Sequence, residues 1–311
     1  MSILFVEGAP GTGKSTTAQF LALHAGRGGR RATWIYEDEA AHPIFATPDT
    51  SSWDAYFTDS IDRWRAFAAK AGGPGDLTVI ESALIQRPVF TLLRADVPPH
   101  TALAFLVRVA AVVRDAEPVL LYLSHVDPVA AFRALCARRG PEWVDGHVRR
   151  FESSAFAERR GVRGVDGLER YWSEHEALAR RVVAELGMRT IQVRRAGDWT
   201  CERSHILSAL SWPPADDGPK PDSTVPRFAG RYRDAQSREC TVDVDAGGLR
   251  VHGILWPANR LLPKAGNVFY AEAWPIEVVF EETAGGSVCA MRIVDNRVRS
   301  SRVHGVFEKV G

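Results

Sequence analysis

Apolar and polar positions in the first two hundred residues alternate between two rhythms. Short apolar blocks of strand length, at residues 3–7, 32–36, 77–80, 118–123 and 190–193, each stop at polar or glycine-rich text. Between them lie longer stretches whose apolar residues return every three or four positions, which puts them on one helical face. Residues 16–25 form the first such stretch. In the second, Trp53, Tyr56, Phe57, Ile61, Trp64 and Phe67 share a face, with Ser51 or Ser52 as N-cap and Gly72-Gly73-Pro74-Gly75 as the stop. A mostly helical stretch broken at Pro98-Pro99 runs to Asp115. Asp127-Pro128, an N-cap followed by proline at the first helical position, opens a helix that lasts to Arg139 and Gly140-Pro141. Further helices are predicted over about residues 142–160 and 167–186. Continuous rather than alternating apolar strands indicate burial on both faces, so the pattern predicts an α/β domain with a parallel sheet flanked by helices.

After residue 210 the texture changes. Residues 211–226 are rich in proline and polar side chains and read as a linker. Residues 227–311 carry short alternating runs, such as Cys240-Thr241-Val242-Asp243-Val244 and Leu249-Arg250-Val251-His252, separated by Ala246-Gly247-Gly248 and Ala284-Gly285-Gly286. This predicts a smaller all-β domain, an antiparallel barrel or sandwich, with Trp256, Phe269, Tyr270, Trp274 and Phe280 as its core aromatics. The expected organisation is a nucleotide-binding domain over residues 1–210, the linker, and the β domain.

Chemistry enters where the first strand ends. Gly8-Ala9-Pro10-Gly11-Thr12-Gly13-Lys14-Ser15 satisfies the spacing G-x-x-x-x-G-K-[ST] between a strand and a helix. The glycines let successive N–H groups turn toward phosphate oxygens, and the helix adds its free N–H groups and positive dipole end. Lys14 is expected to bridge the β- and γ-phosphates. The Ser15 hydroxyl is a hard oxygen ligand for Mg²⁺, and Thr16 is a weaker candidate for the same neighbourhood.

Ligands of open α/β sheets sit beyond the carboxyl ends of the strands. Glu37, with Asp38 and Glu39, follows the second block there, and Glu81-Ser82 follows the third. Glu37 is the candidate general base and part of the acceptor site, against the plainer reading of a solvated loop carboxylate. Glu81 is a candidate to hold Mg²⁺ through water or to bind the acceptor; otherwise it caps the next helix. Arg138 and Arg139 are candidates to stabilise charge on a transferring phosphoryl group, although arginine is also common on exposed helix faces. Arg149, Arg150, Arg159 and Arg160 read as a solvated face, His42 and His125 as bland, and Trp53, Tyr56 and Trp64 as core.

With those strand ends in place, the first two hundred residues resemble the P-loop kinases of small molecules, the nucleoside, nucleotide and shikimate kinase group. The phosphate loop, the carboxylates after the second strand and Glu81-Ser82 carry the resemblance. So does Asp-Pro-Val-Ala-Ala-Phe-Arg-Ala-Leu-Cys-Ala-Arg-Arg-Gly-Pro-Glu at residues 127–142, which looks like the helix and lid whose arginines close over phosphates, here Arg133, Arg138 and Arg139. Ala196-Gly197-Asp198-Trp199 resembles the loop beside the adenine base. Deoxynucleoside kinases usually show Glu-Arg-Ser after the third strand and a second arginine a few residues later. Aligning on Ser82 and Arg87 puts Ile80 at the glutamate; aligning on Glu81 removes the first arginine. The resemblance implies an ATP- or GTP-dependent, Mg²⁺-requiring kinase whose acceptor is a hydroxyl of a small metabolite, a nucleoside-like compound or an antibiotic, bound by Glu37, Glu81 and Arg87. A nucleotide-binding regulator read out by the β domain is the alternative. From Phe228-Ala229-Gly230-Arg231-Tyr232 onward the chain resembles small β-barrel domains appended to serine β-lactamase-like proteins.

Charge and cysteine usage narrow the partners. The 39 basic side chains are matched by 38 acidic ones, so no domain-wide field draws a nucleic-acid backbone. The four cysteines, Cys136, Cys201, Cys240 and Cys289, form no C-x-x-C pair and read as reduced thiols. No apolar run approaches a membrane span, and the start of the chain carries a strand where a signal peptide carries a basic, then apolar, block. The expectation is a cytoplasmic protein with neither membrane nor nucleic acid as partner.

Overall fold

A computed structural model of the protein describes residues 2–45, 52–71, 73, 75–214, 225–245, 248–254, 258–294, 296–299 and 305–310. Ser51, Gly72, Pro74, most of the linker, Ala246, Gly247 and Trp256 lie outside the described residues. The chain divides into two compact units, Met1–Glu37 with Pro43–Ala215 and Asp38–His42 with Asp216–Gly311.

The first unit is a five-stranded sheet in the order β2-β3-β1-β4-β5. Its strands are β1 (Ile3–Gly8), β2 (Arg31–Ile35), β3 (Asp76–Glu81), β4 (Val119–His125) and β5 (Arg189–Arg195), and every pairing is parallel. Helices α1 (Lys14–Arg27), α2 (Trp53–Lys70), α3 (Gln86–Arg94), α4 (Pro99–Val113), α5 (Pro128–Arg139), α6 (Pro141–Glu152), α7 (Ala155–Arg160), α8 (Gly164–Glu185) and α9 (Trp199–Leu210) connect and cover them. Ile3 and Phe5 of β1 join a core with Ile61 and Trp64 of α2, Phe105 and Leu106 of α4 and Val182 of α8. Leu4 and Val6 point the other way by the two-residue period of a strand and are equally buried, so both faces of the sheet are covered.

Local chemistry sets most boundaries. The Ser52 hydroxyl accepts from Ala55 N at 3.1 Å and opens α2; Asp127 Oδ1 accepts from Ala130 N at 3.0 Å and opens α5. The single helix expected over residues 142–160 is instead α6 and α7. Ser154 is extended and its hydroxyl accepts from Ala157 N at 3.2 Å, so a fresh N-cap restarts the chain there. Helix α9 follows a cap of the same kind, Asp198 Oδ1 accepting from Cys201 N at 3.0 Å, in a segment without clear apolar periodicity.

The second unit is a closed antiparallel barrel in the order β10-β11-β12-β13-β6-β7-β8-β9. These strands are β6 (Gly230–Asp234), β7 (Glu239–Asp245), β8 (Gly248–His252), β9 (Asn259–Ala265), β10 (Val268–Ala271), β11 (Glu277–Glu282), β12 (Val288–Val294) and β13 (Gly305–Val310). Closure removes the exposed edges that a sandwich would leave. Phe228 and Phe280 stack at 4.5 Å between ring centres, with Phe269, Tyr232 and Phe307 also buried. Tyr270 and Trp274 are only half-buried, so the core draws on Phe228, Tyr232 and Phe307 instead of those two. Before β6 a 3₁₀ turn, Val225–Phe228, buries both its end residues and belongs to this unit. Asp38–His42 belongs to it as well: Glu39 bridges Val298, Ala40 N donates to Arg297 O at 2.9 Å, and Arg297 pairs with Glu39 at 2.5 Å. All four cysteines are free thiols.

Candidate active site

Parallel pairing brings the carboxyl ends of all five strands to one edge of the sheet, and the loop at residues 8–15 leaves β1 there. Gly8 has φ 147°, and a Cβ on it would meet the Leu123 carbonyl oxygen of β4 at 2.1 Å. Only glycine lets the loop leave the sheet at this point. Thr12 N and Oγ1 both reach the Ala9 carbonyl, at 3.3 and 2.8 Å, and fold the loop on itself. Gly13 takes the left-handed conformation, φ 80° and ψ 26°, and turns the chain into α1 without a side-chain cap. The helix start thus presents free N–H groups flanked by Ala9, Pro10 and Gly11 on the loop and Thr16 on the helix.

Lys14 is buried, and its Nζ donates to Ala9 O at 3.0 Å. Burial lowers its pKa, and Glu37, Glu81, Glu7 and Glu176 oppose that shift. One ammonium therefore sits in the field of four carboxylates. Ser15 Oγ donates to Glu81 Oε1 at 3.0 Å, which joins the two expected metal-binding residues. Glu81 is fully buried, and burial followed by the Glu37 charge holds its carboxyl well above the usual range. A cation would relieve that cost. A hydroxyl and a carboxylate suit Mg²⁺, which keeps several waters and takes few protein ligands. No cluster of three or more His, Cys, Asp or Glu side chains arranged to hold a metal occurs among the described residues.

Glu37, half-buried, bears electrostatically on Lys14, Glu81 and Arg139. Its carbonyl accepts from Arg87 Nη1 at 2.6 Å, and the Arg87 guanidinium lies 4.1 Å over the Phe45 ring. Arg87 thus reaches the chain after β2. Of the three arginines expected in a lid, Arg139 is half-buried and its pKa is lowered by burial and Arg138, with Tyr36 and Glu37 opposing. Arg138 is exposed beside it. Arg133 is committed elsewhere, to Glu169 on α8 at 2.6 and 2.8 Å.

Four features escaped the sequence reading. Glu7 is fully buried in β1; Leu84 N and Gln86 N donate to its two oxygens at 2.7 and 2.9 Å, and burial nevertheless pushes its pKa up to about 7. Glu176 of α8 is buried and accepts from Arg180 Nε at 2.9 Å, close enough to Tyr122 to raise that phenol's pKa after the larger effect of burial. His175 is buried and held down to about 4, so its ring is neutral, with Nε2 3.1 Å from Gln86 O. Finally, Arg195 at the end of β5 pairs with Glu202 at 2.7 Å, lies 4.9 Å over Trp199, and would contact a Cβ on Gly13 at 3.4 Å. The legible signal for Glu7 was a charge inside an otherwise apolar strand; for Glu176, a charge on the apolar stripe of its helix.

No protein-family model matches the chain, and neither does any curated protein. Among solved structures, it is similar to the YorR protein of Bacillus subtilis, crystallised in complex with phosphorylated GDP. Identity is 15% over 67% of this chain and 92% of that one, with a TM-score of 0.38.

Proposed function

We propose that the first unit is an ATP- or GTP-dependent, Mg²⁺-requiring phosphotransferase acting on a hydroxyl of a small metabolite, nucleoside-like compound or antibiotic. The observation that carries this reading is the convergence, at one sheet edge, of the loop at residues 8–15, the Ser15–Glu81 contact and the charge of Glu37. Such a site works by positioning and charge neutralisation. Lys14 exchanges its bond to Ala9 O for the β- and γ-phosphates. Ser15 and Glu81 would hold Mg²⁺ or its waters, and the ion when bound would supply neutralisation of phosphate charge. Arg87 and Glu81 orient the acceptor. The acceptor oxygen forms a bond to the γ-phosphorus as the bond from that phosphorus to the β-bridging oxygen breaks. Glu37 takes the hydroxyl proton, the nucleoside diphosphate leaves, and Arg139 with Arg138 stabilises the charge spread over the transferring oxygens. Nucleoside diphosphate release by the full chain with MgATP or MgGTP, measured across a panel of hydroxylated metabolites, tests the reading. Stimulation by at least one compound is expected; tight nucleotide binding that no acceptor converts to turnover would favour a nucleotide-dependent regulator.

A further inference from the structure

The turn between β3 and α3 lies between two acceptor-side residues, Glu81 at the end of β3 and Arg87 in the first turn of α3, yet its own sequence does little to hold it. Ser82 takes a positive φ of 58°, uncommon for a residue with a side chain and costing on the order of 1 kcal/mol or more. The N-cap of α3 is Ile85, which has no group to accept from the free N–H donors of the first helical turn. A strained turn leading into an uncapped helix needs support from outside.

That support comes from the strand that feeds the phosphate loop. Glu7 sends its fully buried carboxylate across to the turn, where Oε1 accepts from Leu84 N and Oε2 from Gln86 N. Gln86 N is one of the free donors of the first helical turn, and Leu84 N lies in the turn just before it. The turn is further tied by Ser82 N donating to Val6 O at 3.1 Å and Arg87 N donating to Ser82 O at 3.1 Å. From the end of the turn, Arg87 reaches the Glu37 carbonyl. One carboxylate one residue before Gly8 therefore links the loop's strand to the segment that aims Arg87.

We propose that Glu7 is a positioning residue: it caps residues 84–86 from β1 and so fixes Arg87, and through it the Glu37 carbonyl, relative to the phosphate loop. The effect on turnover rests on the phosphotransferase reading; the brace itself does not. A buried carboxyl group has few reasons to persist in the middle of a sheet. Leucine of similar volume would remove the cost of burying charge but would leave two N–H groups without acceptors. The arrangement couples the nucleotide side of the site to the acceptor side through side-chain to backbone bonds rather than through packing alone.

The test compares wild type, Glu7→Gln, Glu7→Asp, Arg87→Ala and the Glu7→Gln/Arg87→Ala double variant, all as full chains. Three readouts are taken: amide hydrogen exchange at Leu84 and Gln86, affinity for MgATP, and the KM for MgATP and kcat of transfer to the panel compound that most stimulates nucleoside diphosphate release. In Glu7→Gln an amide NH₂ replaces one acceptor oxygen, so exchange at these two amides should accelerate at least tenfold. MgATP affinity and KM should stay within about threefold of wild type while kcat falls about tenfold or more. Adding Arg87→Ala should cost little beyond Glu7→Gln, because both break one linkage, and Glu7→Asp should recover part of the loss. Unchanged exchange at Leu84 and Gln86 would overturn the proposal, and so would a loss of MgATP affinity as large as that of a Lys14 variant, which would make Glu7 part of the phosphate site. If wild type binds MgATP but neither hydrolyses nor transfers it, the phosphotransferase reading fails, and the exchange and affinity arms alone decide whether Glu7 is the brace.

Discussion

Replacing Lys14 by Met should abolish turnover and also lower stability in a pH-dependent way. The variant keeps most of the side chain's volume and removes its charge and its bond to Ala9 O. For catalysis, loss of an electrostatic group at developing phosphoryl charge is expected to cost about 4 kcal/mol, roughly a thousandfold in rate. For stability, the relevant fact is that Lys14 opposes the burial of carboxylates. Glu7 stands at about 7 against an ordinary 4.5, with Lys14 among the groups that hold it down. At roughly 1.4 kcal/mol per pH unit, that raised value already corresponds to a cost on the order of 3 kcal/mol at neutral pH. The sign follows from the direction: a carboxyl raised on folding is fully tolerated below its unfolded value near 4.5, and its charged form costs stability as pH rises through 7. Removing Lys14 raises Glu7 and Glu81 further. Lys14→Met should therefore lose little stability at pH 5, where Glu7 is protonated in either chain, and about 1–3 kcal/mol more at pH 8. Urea unfolding of the full chain at the two pH values, followed by fluorescence, gives the comparison. Equal destabilisation at pH 5 and pH 8 would refute the electrostatic account of the buried lysine, and more than about a tenth of wild-type turnover would refute its catalytic role.

Gly8→Ala should disable the loop outright, since its Cβ would lie 2.1 Å from the Leu123 carbonyl oxygen at a φ of 147°; loss of MgATP binding by calorimetry checks this, and normal affinity would contradict it. Ser15→Ala should raise the Mg²⁺ concentration needed for half-maximal nucleotide affinity by about tenfold, measured by magnesium titration, because Glu81 alone would remain of the pair. In the barrel, Tyr232→Phe removes a buried bond of 2.6 Å to the Phe228 carbonyl and should cost about 1–2 kcal/mol in thermal or urea unfolding, with nucleotide affinity unaltered.

Much of the fold was legible because burial on both faces leaves a strong trace. The continuous apolar blocks at residues 3–7, 77–80 and 118–123 became β1, β3 and β4, and their stops became the strand ends that carry Glu81 and the phosphate loop. Caps were legible wherever the capping side chain is local, as at Ser52 and Asp127. Residues whose surroundings come from distant chain were not. Lys14 reads as a loop lysine, and only the fold buries it and sets it in the field of Glu7, Glu37, Glu81 and Glu176. Arg133, Arg138 and Arg139 are indistinguishable as sequence. The fold turns Arg133 toward Glu169 and leaves Arg139 in the field of Glu37. Glu7 caps a helix seventy-nine residues further on, beyond the reach of any spacing rule. The attachment of Asp38–His42 to the barrel unit rests likewise on a pairing with Val298 that no local pattern announces.

Phosphoryl transfer to a small hydroxylated acceptor can be followed with nucleotide labelled at the γ-phosphate. The full chain is incubated with Mg²⁺, labelled ATP or GTP and the metabolite panel, beside the Lys14→Met variant. Label is expected on at least one organic hydroxyl, with equimolar nucleoside diphosphate and a loss of about a thousandfold in the variant. Label that appears only as inorganic phosphate, or stays on tightly bound nucleotide whatever the acceptor, would contradict it.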